Sequence, residues 1–358
     1  MKKCLFVIPS LSKGGAERVV CVLASGLVNI GYDITVLRYF KTEADYPIDQ
    51  RVKIITLSEG FEEDYKKIKK SDRNKRIRKI IEDVSPDRII PFLRHVNLQV
   101  YLSCGLKYKS RVIFTIRDNP KMTKPRFEDK LHEFLINNTN KTIVQNNAQK
   151  EYFKKSAAKR IHIVPNPVNQ ACIELESNPS TNIFNIVAAG RLSKGKNFEM
   201  LIKAFSDFAK DKNDVLLSIY GEGALKESLQ ELINKNDCGN KIKLMGRTNV
   251  LNSVYTKASL FVLSSRREGM PNVLLEAMAV GVPCISTNCP TGPSEMIVDE
   301  ENGLLVPVDD EEKMSQAINY MYKNYDKAKL MGKNAKNYVL NNYKLEIVLK
   351  KFVDVIEL

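Results

Sequence analysis

The chain has 358 residues, 43% of them hydrophobic and 27% charged, with a formal net charge of +14, and this length and balance fit two α/β domains with full cores. No apolar run reaches the roughly 18 residues of a membrane-spanning helix, and the opening MKKCLFVIPSL, broken by Pro9, is too short in its apolar part for a signal peptide, so a cytoplasmic location is expected. Seven cysteines without a C-x-x-C pair predict reduced, mostly buried thiols, and three distant histidines (His95, His132, His162) assemble neither a zinc motif nor a Ser-His-Asp arrangement. The first apolar run, CLFVIPS (4–10), fits a central parallel strand. Lys13, Gly14, Gly15, Ala16 and Glu17 lead from it into the periodic AERVVCVLASGL, so a Gly-Gly turn lets backbone approach a ligand closely, as any tight βα turn could. YDITVLR (32–38), VKIITL (52–57), DRIIPF (87–92), RVIFTI (111–116) and KTIVQN (141–146) read as further strands separated by helical segments, a doubly wound pattern.

Arg117 terminates RVIFTI at its carboxyl end, where open α/β sheets place ligand contacts, although a structural ion pair explains it equally well. The two prolines of HIVPNPV (162–168) close the first domain, and the aperiodic polar segment 169–182 reads as a linker. A second domain opens with FNIVAAGRL (184–192), whose strand runs into Gly190 and Arg191, then Lys196, before helical spacing resumes at Phe198, Leu201, Ile202 and Phe205. LLSIYG (216–221), IKLMG (242–246), LFVLSS (260–265) and PCIST (283–287) complete a second sheet, with turns at Gly221 and at Gly246, Arg247 and Thr248.

Between LFVLSS and the helix VLLEAMAV stands EGMPNVLLE (268–276). Gly269, Met270 and Pro271 form the turn, Asn272 is the expected cap, and the amides of Val273, Leu274 and Leu275 are expected to point unpaired from the helix start, a seat for phosphate. Glu276, one turn in and flanked by apolar neighbours, is a carboxylate on a helix that should be buried, and it needs a partner. Singly, Glu276 complements a helix dipole and Glu268 is a loop acid; as a pair they suit a ligand carrying vicinal hydroxyls and phosphates, such as a nucleotide-sugar.

This stretch resembles the Glu, seven residues, Glu signature of retaining family 4 glycosyltransferases, whose GT-B fold has two Rossmann-like, doubly wound domains facing across a cleft. The resemblance covers the whole chain, most specifically 190–295. It implies that Glu276 holds the nucleotide ribose, that Glu268 lies near the donor sugar, and that the backbone from Gly269 to Leu274 contacts diphosphate or sugar. The family's G-R-L turn with a Lys five residues after the Arg matches at Gly190, Arg191 and Lys196, two cations that stabilise a departing nucleoside diphosphate. Gly221 and the Gly246-Arg247-Thr248 turn then flank the base, Gly14 and Gly15 line the cleft, and Arg117 stands where many members carry a His. The loop from Cys289 to Glu295 replaces the common Gly-Gly-x-x-Glu, a variant resembling bacterial enzymes that add UDP-activated hexoses or N-acetylhexosamines to lipid-linked oligosaccharides.

The resemblance also sets the domain plan: an acceptor domain over 1–168, the linker 169–182, a nucleotide-sugar domain over 183–343, and a terminal helix 344–358 crossing back to the first domain. Neither metal nor cofactor is expected, because no D-x-D triplet occurs and Arg191 and Lys196 supply positive charge. A dehydrogenase is disfavoured by the absence of G-x-G-x-x-G after any strand; a GT-B epimerase and a non-catalytic nucleotide-sugar-binding subunit remain as other readings.

Charge separates the two halves. Residues 1–170 hold 33 Lys and Arg against 18 Asp and Glu, while 171–358 hold 23 against 24. The excess peaks in YKKIKKSDRNKRIRKII (65–81), with nine cations against Asp72, and Ile77, Ile80, Ile81 and Val84 at helical spacing beside them. No aromatics interleave these charges to stack on bases, so nucleic acid is not the expected partner; a merely solvated face and an anionic membrane surface are the other readings, and the second suits a polyprenyl-diphosphate-linked acceptor.

Overall fold

Alternation along the strands decides how the layers form. The computed structural model describes residues 2–12, 14–120, 127–138, 140–180 and 182–358, with only the backbone of Glu128; Lys13, ahead of the Gly-Gly turn, lies outside them. The chain divides into two units, Met1–Pro167 with Leu345–Leu358, and Val168–Lys344.

In the first unit β1 (Lys3–Ile8), β2 (Asp33–Arg38), β3 (Lys53–Thr56) and β4 (Arg88–Pro91) pair in parallel in the order β3-β2-β1-β4. β5 (Phe114–Thr115), β6 (Thr142–Val144) and β7 (Ile161–Ile163) form a second parallel set in chain order. A parallel bridge between Ile89 and Val112 joins the two sets, with the Ile113 N–H donating to Ile89 O at 2.9 Å. Cys4, Phe6 and Ile8 face the helix Gly15–Asn29, whereas Leu5 and Val7 face the helices Lys70–Val84 and Arg94–Ser103. Both faces are therefore dry, as a parallel sheet requires.

The helix Leu345–Glu357 completes the first of these layers: Phe352 stands edge-on to Phe6 at 5.8 Å, Arg88 Nε donates to Ile356 O at 2.8 Å, and Tyr32 donates to Glu357 at 2.5 Å. Its Leu349 fills the space beside Gly26, where a Cβ would lie 2.6 Å from Leu349 Cδ1.

The second unit carries six parallel strands, β8 (Phe184–Ala189), β9 (Val215–Tyr220), β10 (Ile242–Gly246), β11 (Leu260–Leu263), β12 (Cys284–Thr287) and β13 (Leu304–Val306), in the order β10-β9-β8-β11-β12-β13. Ile186, Ala188, Leu260 and Val262 pack toward the helices Phe198–Ala209 and Glu311–Lys323; Val187, Ala189, Phe261 and Leu263 pack toward Asn272–Val280 and Tyr325–Asn342. Strand order reverses between β8 and β11. The loops leaving their carboxyl ends part there, and such a switch point is where open α/β sheets bind ligands.

Three expectations need correction. β7 and β13 were not anticipated: each has only three residues at a sheet edge, too short to alternate visibly. RVIFTI yields only the two-residue β5, because Val112 and Ile113 are held by the bridge to β4 instead. The segment expected as a linker is partly packed. Cys172 is fully buried in the second unit's core, Ser177 N donates to Val280 O at 3.0 Å, and Asn178 N to Thr256 O at 2.7 Å. All seven cysteines are buried and free.

Candidate active site

At the second unit's switch point the loop after β8 is tied to the loop after β11. Ser264 Oγ donates to Lys196 O at 2.8 Å, Arg266 N to Gly195 O at 2.8 Å, and Arg266 Nη1 to Lys194 O at 2.8 Å. Asp309 Oδ1 accepts from both Arg266 Nε at 2.6 Å and Asn197 Nδ2 at 2.8 Å. Asn197 adopts left-handed backbone, φ 53°, to begin its helix, a conformation that Asn tolerates better than most residues. The result is a fixed position for Lys196. Its stem passes over Gly190, where a Cβ would sit 3.2 Å from Lys196 Cε, and its Nζ meets Glu268 Oε1 at 2.6 Å.

Ser265 Oγ donates to the same Glu268 oxygen at 2.6 Å, and Thr291 Oγ1 donates to Glu268 O. Both partners of the Lys196–Glu268 pair are largely withdrawn from solvent, with side-chain exposures of 22% and 10%, so its geometry is held far more firmly than that of a surface pair. Arg191, expected as an equivalent cation, is exposed and makes no ion pair among the described residues. The two charges differ in kind: Lys196 is positioned by a carboxylate, and Arg191 is exposed.

Glu276 lies 4% exposed on the helix Asn272–Val280 and accepts from Tyr255 Oη at 3.3 Å. Tyr255 is itself fully buried and edge-on to Phe261 at 5.7 Å. The helix start differs from expectation. Pro271, not Asn272, is the N-cap, and its carbonyl accepts from both Leu274 N and Leu275 N at 3.1 Å. Proline's fixed φ lets that carbonyl take up the first turn, so two of the three amides expected to be unpaired are used inside the helix. Val273 is the one of the three whose amide precedes any acceptor within the helix. The loop from Cys289 to Glu295 supports this turn: Gly292, φ 94°, lies so close that a Cβ would be 2.8 Å from Gly269 O and 2.9 Å from Pro271 Cδ. Met270 is buried beneath it.

Three strand-end loops stack beside the cluster. Gly190 N donates to Tyr220 O at 3.0 Å and Gly221 N to Gly246 O at 2.8 Å. Gly221 has φ 143°, and a Cβ there would fall 1.8 Å from Gly190 O, so only glycine fits. Gly246, φ 70°, ends β10; Arg247 is exposed, and Thr248 Oγ1 accepts from Val250 N at 3.2 Å. Among the described residues no group of His, Cys, Asp and Glu has the arrangement of a metal site.

The first unit holds its own candidates. Gly14 caps the helix Gly15–Asn29, so Gly15 is its first residue rather than part of the loop. Arg117 is half-buried: Nη1 donates to Asn166 Oδ1 at 2.9 Å, and the guanidinium lies 5.0 Å over the Phe92 ring. Its Nε and Nη2 are out of reach of solvent with no acceptor among the described residues, and burial pushes the guanidinium down to about 10. The alternative of a structural ion pair is not met among the described residues. Asn166 also accepts from Gln145 Nε2 at 2.9 Å, which fixes the acceptor side of the Arg117 contact. His132 is buried against Phe114 with its ring nitrogen 3.0 Å from Asn97 Nδ2, and burial, helped by Arg94, pushes it down to about 3, so it stays neutral.

Sequence reasoning missed Ser264, Ser265, Tyr255, Thr291, Asp309 and Asn166. Only the serines carried a signal, two hydroxyls ending a wholly apolar strand.

A family model for glycosyltransferase family 4 matches residues 13–171, and one for glycosyl transferases group 1 matches 175–338. A Campylobacter jejuni alpha-1,4-N-acetyl-D-galactosaminyltransferase, named for a GalNAc-bearing diNAcBac-PP-undecaprenol acceptor, is 28% identical over 94% of this chain and 93% of its own length. The amylovoran biosynthesis glycosyltransferase AmsD of Erwinia amylovora is 27% identical over 99% of this chain and all of its own. Among solved structures, an S. aureus TarM mutant in complex with fondaparinux, alpha-GlcNAc-glycerol and UDP superposes with TM-score 0.84 at 15% identity, and Anabaena HepE in complex with UDP with TM-score 0.81 at 15%, each over the full length of both chains. With a family 4 domain followed by a group 1 domain on two doubly wound sheets, the chain belongs to the glycosyltransferases of the GT-B fold.

Proposed function

We propose that this glycosyltransferase moves a hexose or N-acetylhexosamine from a UDP-sugar to a lipid-linked glycan, retaining the anomeric configuration. The observation that carries the reading is the withdrawn Lys196–Glu268 pair, whose Glu268 stands four residues ahead of the helix that buries Glu276. Glu276 accepts the ribose hydroxyls, the amide of Val273 faces the diphosphate, and Lys196, joined by Arg191 when donor is bound, balances the charge that builds on the leaving group. Glu268 orients Lys196 and lies beside the donor sugar. The acceptor hydroxyl attacks from the face the diphosphate leaves, and its proton passes to the departing phosphate. The turn at Gly246, Arg247 and Thr248 borders the base, and Gly14, Gly15 and Arg117 of the first unit take the remaining donor and acceptor contacts, with Nε and Nη2 of Arg117 suited to an anion. UDP bound to TarM and HepE, and the undecaprenol-linked acceptor in the Campylobacter name, favour this donor and acceptor class. The test is transfer of labelled sugar from a UDP-sugar panel to a polyprenyl-diphosphate-linked glycan; donor epimerisation without transfer, or nucleotide binding without turnover, would reject it.

No divalent ion is assigned, because the charge it would offset falls to Lys196 and Arg191. Turnover is expected to persist undiminished in excess EDTA. Activity lost to EDTA and restored by Mn²⁺ would overturn this leaving-group assignment.

We also infer that the first unit docks on an anionic, cytoplasmic membrane leaflet through the helix Lys70–Val84. No described helix is long and apolar enough to cross a membrane. Ile77 and Ile81 of the docking helix are buried, and Lys75, Arg76, Arg78 and Lys79 are exposed. Lys66 pairs with Glu62 and Glu63 and Lys67 with Asp64, acids just upstream of the basic run, so those two add little to the docking charge. Each remaining exposed cation contributes about 1 kcal/mol near anionic lipid.

A further inference from the structure

Beside the basic helix the chain turns a corner that leaves two leucines in water. Leu102, in the last turn of the helix Arg94–Ser103, is 50% exposed, and Leu106, opening the short helix Leu106–Lys109, is 85% exposed. Single exposed leucines are ordinary, but these two are four residues apart on one corner, and the corner is fixed to the basic helix. Arg78 Nε donates to Ser103 O at 3.0 Å, between the two leucines, and Ser85 Oγ lies 3.4 Å from Tyr108 Oη. The surrounding charge is mostly of one sign, with Glu82 and Asp83 at the end of the basic helix as the nearby acids. Residues 88–117 contain no Asp or Glu, and Lys107 and Lys109 lie over the Tyr108 and Tyr101 rings at 5.4 and 5.0 Å.

We propose that Leu102 and Leu106 form an apolar anchor that enters the acyl region of an anionic leaflet while the neighbouring cations hold its headgroups. The proposal rests on the membrane reading above and adds a second, salt-insensitive source of binding. Cations draw the surface in and are screened by salt, whereas burial of apolar side chains is not. Charge complementarity selects this occupant: a rim in which Lys75, Arg76, Arg78, Lys79, Lys107 and Lys109 outnumber Glu82 and Asp83 disfavours a second copy of the same face and suits anionic lipid.

The experiment is sedimentation with vesicles of phosphatidylcholine alone or with phosphatidylglycerol, at 0.1 and 0.5 M NaCl, together with fluorescence of Leu106→Trp. The natural chain has no tryptophan, so that probe reports one position. Anionic vesicles should shift its emission to the blue and brominated acyl chains should quench it. Leu102→Ser/Leu106→Ser should keep its Tm, since both positions are exposed, yet lose about tenfold in vesicle affinity at 0.5 M NaCl. Lys75→Glu/Lys79→Glu should lose binding mainly at 0.1 M. Sedimentation with anionic vesicles but no blue shift or quenching overturns the anchor and leaves the charged face standing. No sedimentation with anionic vesicles overturns both readings, and a concentration-dependent blue shift without vesicles assigns the corner to self-association instead.

Discussion

Lys196→Ala is expected to lower kcat by about 10²- to 10³-fold, the loss typical of removing one fixed donor from a charge that develops in the transition state. The side chain is not free to be replaced by solvent or by a neighbour, because its stem lies over Gly190 and its Nζ is bonded to Glu268. Arg191→Ala should cost less, roughly three- to tenfold, since an exposed arginine must be ordered at each turnover. The Lys196 variant has a structural consequence that must be separated from the catalytic one. It leaves Glu268, 10% exposed at the side chain, with Ser265 as its remaining side-chain donor among the described residues, at a cost of about 1–3 kcal/mol. Lys196→Ala/Glu268→Gln removes that stray charge and should regain stability in a urea melt without regaining turnover. Near-normal kcat in folded Lys196→Ala protein rejects the assigned role.

Much of this was legible because apolar runs were continuous. β1, β8 and β11 are buried on both faces, so their sequences read as unbroken strands, and the switch-point loops could be placed from them. What was not legible depends on distance or on brevity. The Lys196–Glu268 pair spans 72 residues and the Tyr255–Glu276 contact 21, and nothing local announces either. The helix start at Pro271 moved by one residue because a carbonyl, which has no sequence signature, served two amides. The basic stretch looked more highly charged than it is, because its balancing acids, Glu62, Glu63 and Asp64, stand just before the run. Arg117 shows the opposite error: an arginine at a strand end suggests an ion pair, and here it has an amide oxygen and an aromatic face instead.

The largest loss of ligand affinity should follow Glu276→Ala. A carboxylate accepting two ribose hydroxyls contributes about 1.5–3 kcal/mol per bond, so the dissociation constant for UDP should rise by about 10²- to 10⁴-fold. Position strengthens the argument. Glu276 is 4% exposed among apolar neighbours, and in such a site a hydrogen bond to a charged group is worth more than in water. Because truncation also removes the acceptor of Tyr255 Oη, a loss of fold could imitate a loss of binding. Glu276→Gln resolves this: the amide oxygen keeps the Tyr255 bond and the volume, while the negative charge goes, so a loss of about one to two decades is expected in a protein whose unliganded Tm is unchanged. The measurement is the thermal shift on adding UDP. At 100 times its dissociation constant a ligand stabilises the native state by about 2.7 kcal/mol, so the wild-type shift should be plain and the Ala variant should show almost none at the same concentration. A folded Glu276→Ala protein that binds UDP as tightly as the wild type would remove the ribose from this carboxylate and leave the buried acid with a structural role alone.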